Sequence, residues 1–236
     1  GDVDNDNYDD ILIGAYANDS GGVDSGKSYL LLGSDIAAGG EFDLSTAFAS
    51  FVGENAMDNA GHSLSSAGDV DNDGYDDILI GAHTNDDTDP NAGKSYLFFG
   101  TSVLSGGTYD LLMADATFLG ELADDRSGVA VRSAGDVDGD GGDDLLIGAY
   151  WNDEWASKAG KTYLIYSGTI GAGGIFELLD ADAAFLGDAA NDLSGLSLSS
   201  AGDVDNDGLD DLLIGAPNND EGGGNSGKTY LLLSPF

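Results

Sequence analysis

The chain has 236 residues, 41% of them hydrophobic, so it is long enough and apolar enough to form a globular core. Its 44 acidic residues against seven basic ones give a formal charge of −37, which excludes nucleic acid as a partner because nothing could neutralise the phosphates. Cysteine is absent, which excludes disulfides and thiol chemistry. No apolar run reaches the roughly 18 residues that would predict membrane insertion.

The first element of the chain is an acidic loop, Asp2–Asp10, with aspartate at loop positions 1, 3, 5 and 9. The Ile/Leu run Ile11–Ala15 follows it and predicts a buried strand. Facing carboxylates about 5 Å apart repel each other by roughly 3 kcal/mol at an effective dielectric of about 20. Ca²⁺ reverses that repulsion and takes six to eight oxygen ligands at about 2.3–2.6 Å. The loop therefore predicts a calcium site.

The same loop recurs three times, at Asp69–Asp77, Asp136–Asp144 and Asp203–Asp211, in steps of 67 residues. It begins like an EF-hand, but position 12 is Ile80 in the second copy, inside a β-branched run, where an EF-hand needs Glu and a helix. Each loop therefore lies between two strands. The predicted ligands are four carboxylates and the position 7 main-chain carbonyl of each loop: Asp2, Asp4, Asp6, Tyr8 and Asp10; Asp69, Asp71, Asp73, Tyr75 and Asp77; Asp136, Asp138, Asp140, Gly142 and Asp144; Asp203, Asp205, Asp207, Leu209 and Asp211.

The second repeat is complete and predicts four strands. They are Gly61–Gly68 before the loop, Asp77–Ala82 after it, Gly93–Gly100, and Ala116–Gly120 as the outermost strand. A weakly patterned stretch separates the last two. Helical periodicity is missing, and 38 glycines punctuate the connections. Counterparts of the third strand begin at Gly26, Gly160 and Gly227, and those of the fourth at Phe51 and Phe185.

Four-stranded units in tandem predict an all-β fold, a β-propeller of blades about 67 residues long. A parallel β-helix is the alternative, but its coils are far shorter. The repeats are approximately 1–60, 61–127, 128–194 and 195–236 of a single propeller region. The first lacks an inner strand and the last an outer one. We therefore expect the region to belong to a larger ring or assembly, completed by flanking repeats or by self-association.

Four consecutive elements of the chain carry a resemblance to a known family. They are Phe118-Leu119-Gly120, the Gly128–Gly135 strand, the Asp136–Asp144 loop and Ile147-Gly148-Ala149. They resemble the FG-GAP repeats of integrin alpha subunits and of bacterial surface proteins. The proline that closes the family's Gly-Ala-Pro element is present only as Pro217, and Tyr16, His83 and Tyr150 replace it elsewhere. None of these departures removes a carboxylate.

The resemblance implies up to four Ca²⁺ ions and an extracellular, non-enzymatic module with a structural or adhesive role. Its partner would be a protein or glycan ligand at the cell surface. One alternative is a calcium-dependent carbohydrate-binding propeller that uses Trp151 and Trp155, two aromatics in a polar loop. A second is the non-catalytic domain of a larger surface enzyme.

Two further patterns give no support for catalysis. Gly21–Ser28 fits a phosphate-binding loop, but the apolar run after it predicts a strand where that mechanism needs a helix. We instead expect the recurrent lysine of this element to pair with nearby Asp side chains or with loop carbonyls at the blade rim. His62 and His83 have no nucleophile and orienting acid to form a triad.

Overall fold

The computed structural model describes every residue from Gly1 to Phe236 and contains sixteen short β-strands in four sheets. The antiparallel strands that one sequence repeat contributes to its sheet are called a blade here. Blade 1 has β1 (Ile11–Ala15), β2 (Lys27–Leu31) and β3 (Ala49–Val52). Blade 2 has β4 (Ser63–Gly68), β5 (Asp77–Ala82), β6 (Lys94–Phe98) and β8 (Ala116–Leu119). Blade 3 has β9 (Ser127–Gly135), β10 (Asp144–Ala149), β11 (Lys161–Ile165) and β13 (Ala183–Leu186), and blade 4 has β14 (Ser197–Gly202), β15 (Asp211–Ala216) and β16 (Lys228–Leu232).

Each blade is an antiparallel, up-and-down sheet. In blade 2, Ile80 pairs with Leu64 on one side and Tyr96 on the other, and Tyr96 pairs with Thr117. The inner strands β4, β9 and β14 lie next to one another from blade to blade. The predicted all-β fold of propeller blades is confirmed, with two blades of four strands between two blades of three.

The hydrophobic core lies between the blades. Ile78 and Ile80 pack in the cluster between blades 1 and 2, whereas Leu79 packs in the cluster between blades 2 and 3. Successive side chains of a strand point to opposite faces, so a strand with a neighbour on each side must be apolar at every position. All three are fully buried. Each such side chain stabilises the fold by about 1.5–3 kcal/mol.

The stretch between the third and fourth strands holds elements that the sequence did not predict. β7 (Gly107–Asp110) pairs in parallel with β3 of blade 1, and β12 (Gly174–Glu177) pairs in parallel with β8 of blade 2. Each thus extends the outer edge of the preceding blade. They have four residues and pair with a distant strand, so no local pattern reveals them.

Short helical turns complete the same stretches. Three four-residue helices follow the third strands, and three 3₁₀ turns precede the fourth strands. None of these helices is long and apolar enough to cross a membrane. They are α1 (Gly33–Ile36), α2 (Gly100–Val103) and α3 (Ser167–Ile170), with 3₁₀ turns at Leu44–Thr46, Leu111–Met113 and Leu178–Asp180.

Candidate metal centres

The four acidic loops lie at the same rim of the molecule, where the first strand of a blade turns into the second. They are named loop 1 (Asp2–Asp10), loop 2 (Asp69–Asp77), loop 3 (Asp136–Asp144) and loop 4 (Asp203–Asp211), and the rim is called the loop rim. In loop 2 the curl needs two left-handed residues, Asn72 with φ of 57° and Gly74 with φ of 93°. Asparagine and glycine tolerate that region best. The other loops place Asn or Gly at the same two positions, so the sequence variation there keeps the curl.

The first aspartate of each loop closes the curl. Asp69 accepts the N–H of Asp73 on Oδ1 and the N–H of Gly74 on Oδ2, both at 2.9 Å. Asp2 and Asp203 accept the equivalent N–H groups of positions 5 and 6, whereas Asp136 accepts those of positions 4 and 6. The carboxylate therefore has a fixed orientation before any ion binds.

The ninth aspartate ties the loop to the third strand. Asp77 is fully buried and accepts the N–H of Val70 on Oδ2 and that of Gly100 on Oδ1, each at 2.8 Å. Burial raises the pKa of Asp77 to about 7, although the two hydrogen bonds oppose that rise. Burial likewise raises the pKa of Asp144 in loop 3 to about 7. Without a nearby cation these carboxylates are costly to ionise.

Three carboxylates converge in every loop, with one oxygen of each lying within 4.8 Å of the others. The trios are Asp2, Asp4 and Asp6; Asp69, Asp71 and Asp77; Asp136, Asp138 and Asp144; and Asp203, Asp205 and Asp211. Oδ1 of Asp4 and Oδ1 of Asp71 are buried and have no hydrogen-bond partner. Buried, unpartnered anionic oxygens are what a hard dication satisfies, so the residues present fit Ca²⁺.

The trios do not contain all the predicted ligands. Asp10 of loop 1 lies outside its trio, as do Asp73, Asp140 and Asp207 of the other loops. In all four loops the position 5 carboxylate accepts the N–H of position 7. The carbonyl ligands predicted at position 7, namely Tyr8, Tyr75, Gly142 and Leu209, stay a prediction.

No lysine or arginine neutralises these trios. None of the six ion pairs in the structure involves a trio aspartate. A cleft of about 260 Å³ between loops 2 and 3 is lined by Asp71 of one loop and Asp140 of the other. The loop rim therefore concentrates negative charge that the protein leaves uncompensated.

The opposite ends of the strands form a second rim, called the clamp rim. There Lys94 Nζ lies 2.7 Å from both Glu54 and Asp87, and the Tyr96 hydroxyl donates to Glu54. Lys161 and Lys228 form equivalent ion pairs. The predicted pairing with aspartate is therefore confirmed for Lys94 and Lys228, whereas both partners of Lys161 are glutamates. Lys27 has no such pair. Each of the three lysines contacts two acids, and one of the two belongs to the preceding blade, as Glu54 does for Lys94. The sequence did not predict this contact between blades.

A buried amide–carboxylate contact reinforces the clamp rim. Asn85 Nδ2 donates to Asp58 Oδ2 at 2.8 Å across the junction of blades 1 and 2, and both side chains are almost wholly buried. Burial raises the pKa of Asp58 to about 6. The contact recurs between Asn152 and Asp125, and between Asn219 and Asp192.

The aromatic and histidine residues that the sequence singled out also lie towards the clamp rim. The Arg126 guanidinium and Lys158 Nζ lie 4.0 and 3.8 Å from the centre of the Trp151 ring. Trp155 is 67% exposed. The rings of His62 and His83 contact each other, and burial lowers the pKa of His83 to about 4. Of the two tryptophans, Trp155 is the one left open to a ligand.

Comparison with known proteins gives a consistent result. The family model described as "FG-GAP repeat" matches residues 60–98 and 194–232. Integrin alpha pat-2 of Caenorhabditis briggsae is 32% identical over 169 residues, which is 63% of this chain and 12% of that protein. Integrin alpha-PS2 of Drosophila melanogaster is 30% identical over 161 residues, or 65% of this chain and 11% of that protein. The chain thus spans about an eighth or a ninth of the length of these relatives.

Proposed function

We propose that this chain, which belongs to the FG-GAP repeat family, is a calcium-binding β-propeller module that acts outside the cell. Its role would be structural and adhesive, with no catalytic step of its own. The observation that carries the proposal is the trio of carboxylates repeated in four loops with no protein cation nearby. The names of the two relatives, both integrin alpha chains, support a protein ligand at the cell surface.

Calcium suits these loops better than magnesium does. Mg²⁺ demands a near-ideal octahedron and keeps several waters, whereas Ca²⁺ accepts six to eight oxygens in irregular geometry. Each trio offers three carboxylates, so further oxygens can come from the loop aspartate outside the trio, from carbonyls and from water. Extracellular modules bind Ca²⁺ at roughly 10⁻⁴–10⁻³ M, so such sites fill outside cells.

The proposal is tested by counting bound calcium. Calcium titration of the wild-type protein by calorimetry should give up to four sites, and Asp71→Ala should remove one because the buried Oδ1 of Asp71 is lost. Asp89→Ala removes the same charge from an exposed loop position and should keep every site. No calcium binding by the wild-type protein would refute the proposal.

A second variant tests the predicted ligand that lies outside the trio. If Asp73 completes the coordination of loop 2, Asp73→Ala should also lower the stoichiometry by one. An unchanged stoichiometry would remove Asp73 from the ligand set and leave the trio Asp69, Asp71 and Asp77.

The exposure of Trp155 favours a second candidate function, calcium-dependent binding of a carbohydrate. An aromatic ring with a free face can stack on a sugar. A glycan array should then show binding that requires calcium and that Trp155→Ala abolishes. Trp151→Ala is the matched variant, and its ring is already covered by cations. Equal binding by wild-type protein and Trp155→Ala would exclude this candidate.

A further inference from the structure

The eighth residue of each loop, directly before the ninth aspartate, is a second aspartate that no trio contains. In loop 3 it is Asp143, and it reaches across to blade 2. Asp143 Oδ2 accepts the N–H of Asp69 at 2.9 Å, and the Asp69 carbonyl accepts the N–H of Asp143 at 3.1 Å. This reciprocal pair of hydrogen bonds is called the bracket.

The bracket is present at every junction between neighbouring blades. Asp76 holds Asp2 with distances of 2.8 and 3.1 Å, and Asp210 holds Asp136 with distances of 3.2 and 3.0 Å. Three repetitions in the same geometry make it a property of the repeat. Asp9 occupies the same position in loop 1, but it is exposed and its side chain holds no other loop.

The backbone before each loop is shaped to admit the bracket. Gly68 precedes Asp69 with φ of +75°, and a Cβ there would lie 2.0 Å from Asp143 Oδ2. Gly1 and Gly135 are in the same position, with a Cβ 1.9 Å from Asp76 Oδ2 and Asp210 Oδ2. A Cβ on Gly202, before loop 4, would meet nothing within 4 Å. The left-handed φ favours glycine at Gly202 as well, but the close approach of a carboxylate adds a steric requirement at Gly1, Gly68 and Gly135.

Each bracket joins the ligands of one loop to those of the next. Asp69 is the first trio residue of loop 2, and Asp143 is bonded through the chain to Asp144, a trio residue of loop 3. An ion that fixes the first trio therefore also fixes the backbone that positions the second. The second ion then binds to a loop that is already partly ordered, so its binding costs less conformational entropy.

We propose that Asp76, Asp143 and Asp210 are positioning residues that couple neighbouring metal loops, so that a cation in one loop favours binding in the next. The proposal rests on calcium binding by the loops, as proposed above. It extends that function because it assigns a role to three aspartates outside the ligand set and predicts cooperative filling. Loops 1, 2 and 3 each have their first ligand bracketed, and loop 4 does not.

The test compares calcium titrations of the wild-type protein, Asp143→Ala and Asp9→Ala. The wild-type protein should bind with a Hill coefficient above one. Asp143→Ala should lower that coefficient and weaken binding in loops 2 and 3 roughly 5-fold or more, the size usual for coupling between sites, without changing the stoichiometry. Asp9→Ala makes the same change in charge at the same loop position and should behave as wild type. Asp143→Asn keeps an acceptor oxygen and should largely retain the coupling.

A second readout needs no metal. In the calcium-free protein the Asp69 amide should exchange its hydrogen faster in Asp143→Ala than in wild type, because its acceptor is gone. Circular dichroism of each variant confirms that it is folded before titration.

The outcomes separate this proposal from the one it rests on. Absence of calcium binding by the wild-type protein overturns both. Four sites that fill independently, with Asp143→Ala indistinguishable from wild type, overturn the coupling and leave the calcium module standing. If Asp143→Ala and Asp9→Ala lose calcium affinity equally, the effect comes from the change in net charge, and the coupling is also overturned.

Discussion

The two rims of the blades both collect carboxylates, and they differ in what neutralises them. At the clamp rim Lys94 lies between Glu54 and Asp87. Tyr96 and Asn85 both donate to Glu54, and Asn85 also donates to Asp58. At the loop rim the donors are backbone N–H groups, and no lysine or arginine forms an ion pair with a trio. Hydrogen bonds orient those carboxylates without cancelling their charge.

This difference divides the stability of the fold into two parts. The clamp rim uses three of the seven basic residues and is complete within the protein. The loop rim has no protein cation at its trios, and the cations of the proposed calcium module would come from solution. Blade junctions are therefore joined by ion pairs at the clamp rim, and by the bracket hydrogen bonds at the loop rim, beside trios that contain no protein cation.

Removal of calcium should change the stability of the fold more than any other treatment that distinguishes the two rims. A ligand that binds only the folded state stabilises it by about 2.7 kcal/mol per site when its free concentration is 100 times Kd, and four sites add. The Tm in calcium-containing buffer should therefore fall steeply when EDTA is added. Sodium chloride at matched ionic strength should not restore it. A Tm that chelation leaves unmoved would show that the loop rim needs no cation.

Breaking the clamp rim should have the next largest effect. Lys94→Met leaves Glu54 buried without its cation, and losing one partner of a buried pair costs about 3–5 kcal/mol. Lys27→Met changes the same strand position in blade 1, where the lysine has no ion pair, and should cost far less. Urea denaturation measures both free energies of unfolding.

Repeating the clamp-rim measurement in EDTA sharpens the comparison. Because the clamp rim contains its own cations, the cost of Lys94→Met should be the same with and without calcium. A cost that depends on calcium would mean that the rims are energetically linked. Lys228→Met should cost far less than Lys94→Met, since its partner Asp188 is 52% exposed and the pair is screened by solvent.

A third prediction concerns pH at the clamp rim. Burial raises the pKa of Asp58 to about 6 from the 3.8 of a free aspartate, so the folded state binds the proton more tightly than the unfolded state does. Its contribution to stability is full below pH 3.8 and is lost as the pH rises through about 6. At neutral pH the buried carboxylate therefore costs up to roughly 3 kcal/mol, about two pKa units at 1.36 kcal/mol each.

Replacing Asp58 with asparagine isolates the free-energy cost of the buried negative charge. Oδ2 of Asp58 accepts both of its hydrogen bonds, so the carbonyl oxygen of an asparagine can keep them. Asp58→Asn should be more stable than wild type at about pH 7.5, and the difference should vanish near pH 4. Urea midpoints across that range measure it, and the loop rim titrates equally in both proteins. Asp125→Asn should behave alike, because burial also raises the pKa of Asp125 to about 6. A difference that grows towards pH 4 would contradict the assignment.

What the sequence could predict follows from how far apart the interacting residues are. Each trio lies within nine residues of the chain, so the alternation of aspartates and the left-handed Gly74 reveal it without tertiary information. The bracket joins residues 74 positions apart, and the clamp from Lys94 to Glu54 spans 40, so neither leaves a local pattern. The sequence did contain one signal for the bracket. Every loop ends in two aspartates, and the predicted ligand set includes only the second of them, so the first has no role in the metal site.

The strands divide in the same way. β5 was predicted because a blade buried on both faces gives a continuous apolar run. β7 and β12 were not predicted because the strands they pair with, β3 and β8, lie in the preceding blade. The predicted strand Gly93–Gly100 is shorter in the structure because Gly100 donates to Asp77 and begins α2.

The smallest predicted effect concerns a place at the clamp rim where two cations lie over an aromatic ring and form no ion pair with a carboxylate. Arg126 and Lys158 lie over the Trp151 ring, and a cation–π contact contributes about 0.5–1 kcal/mol at an exposed site. Arg126→Gln should lower the free energy of unfolding by that amount and change the Trp151 fluorescence, with Trp155→Phe as the background so that one tryptophan reports. Calcium should not alter the shift, since Trp151 is remote in the fold from the trios. A fluorescence change that follows calcium would instead place Trp151 under the control of the loop rim, and the separation of the two rims would then fail.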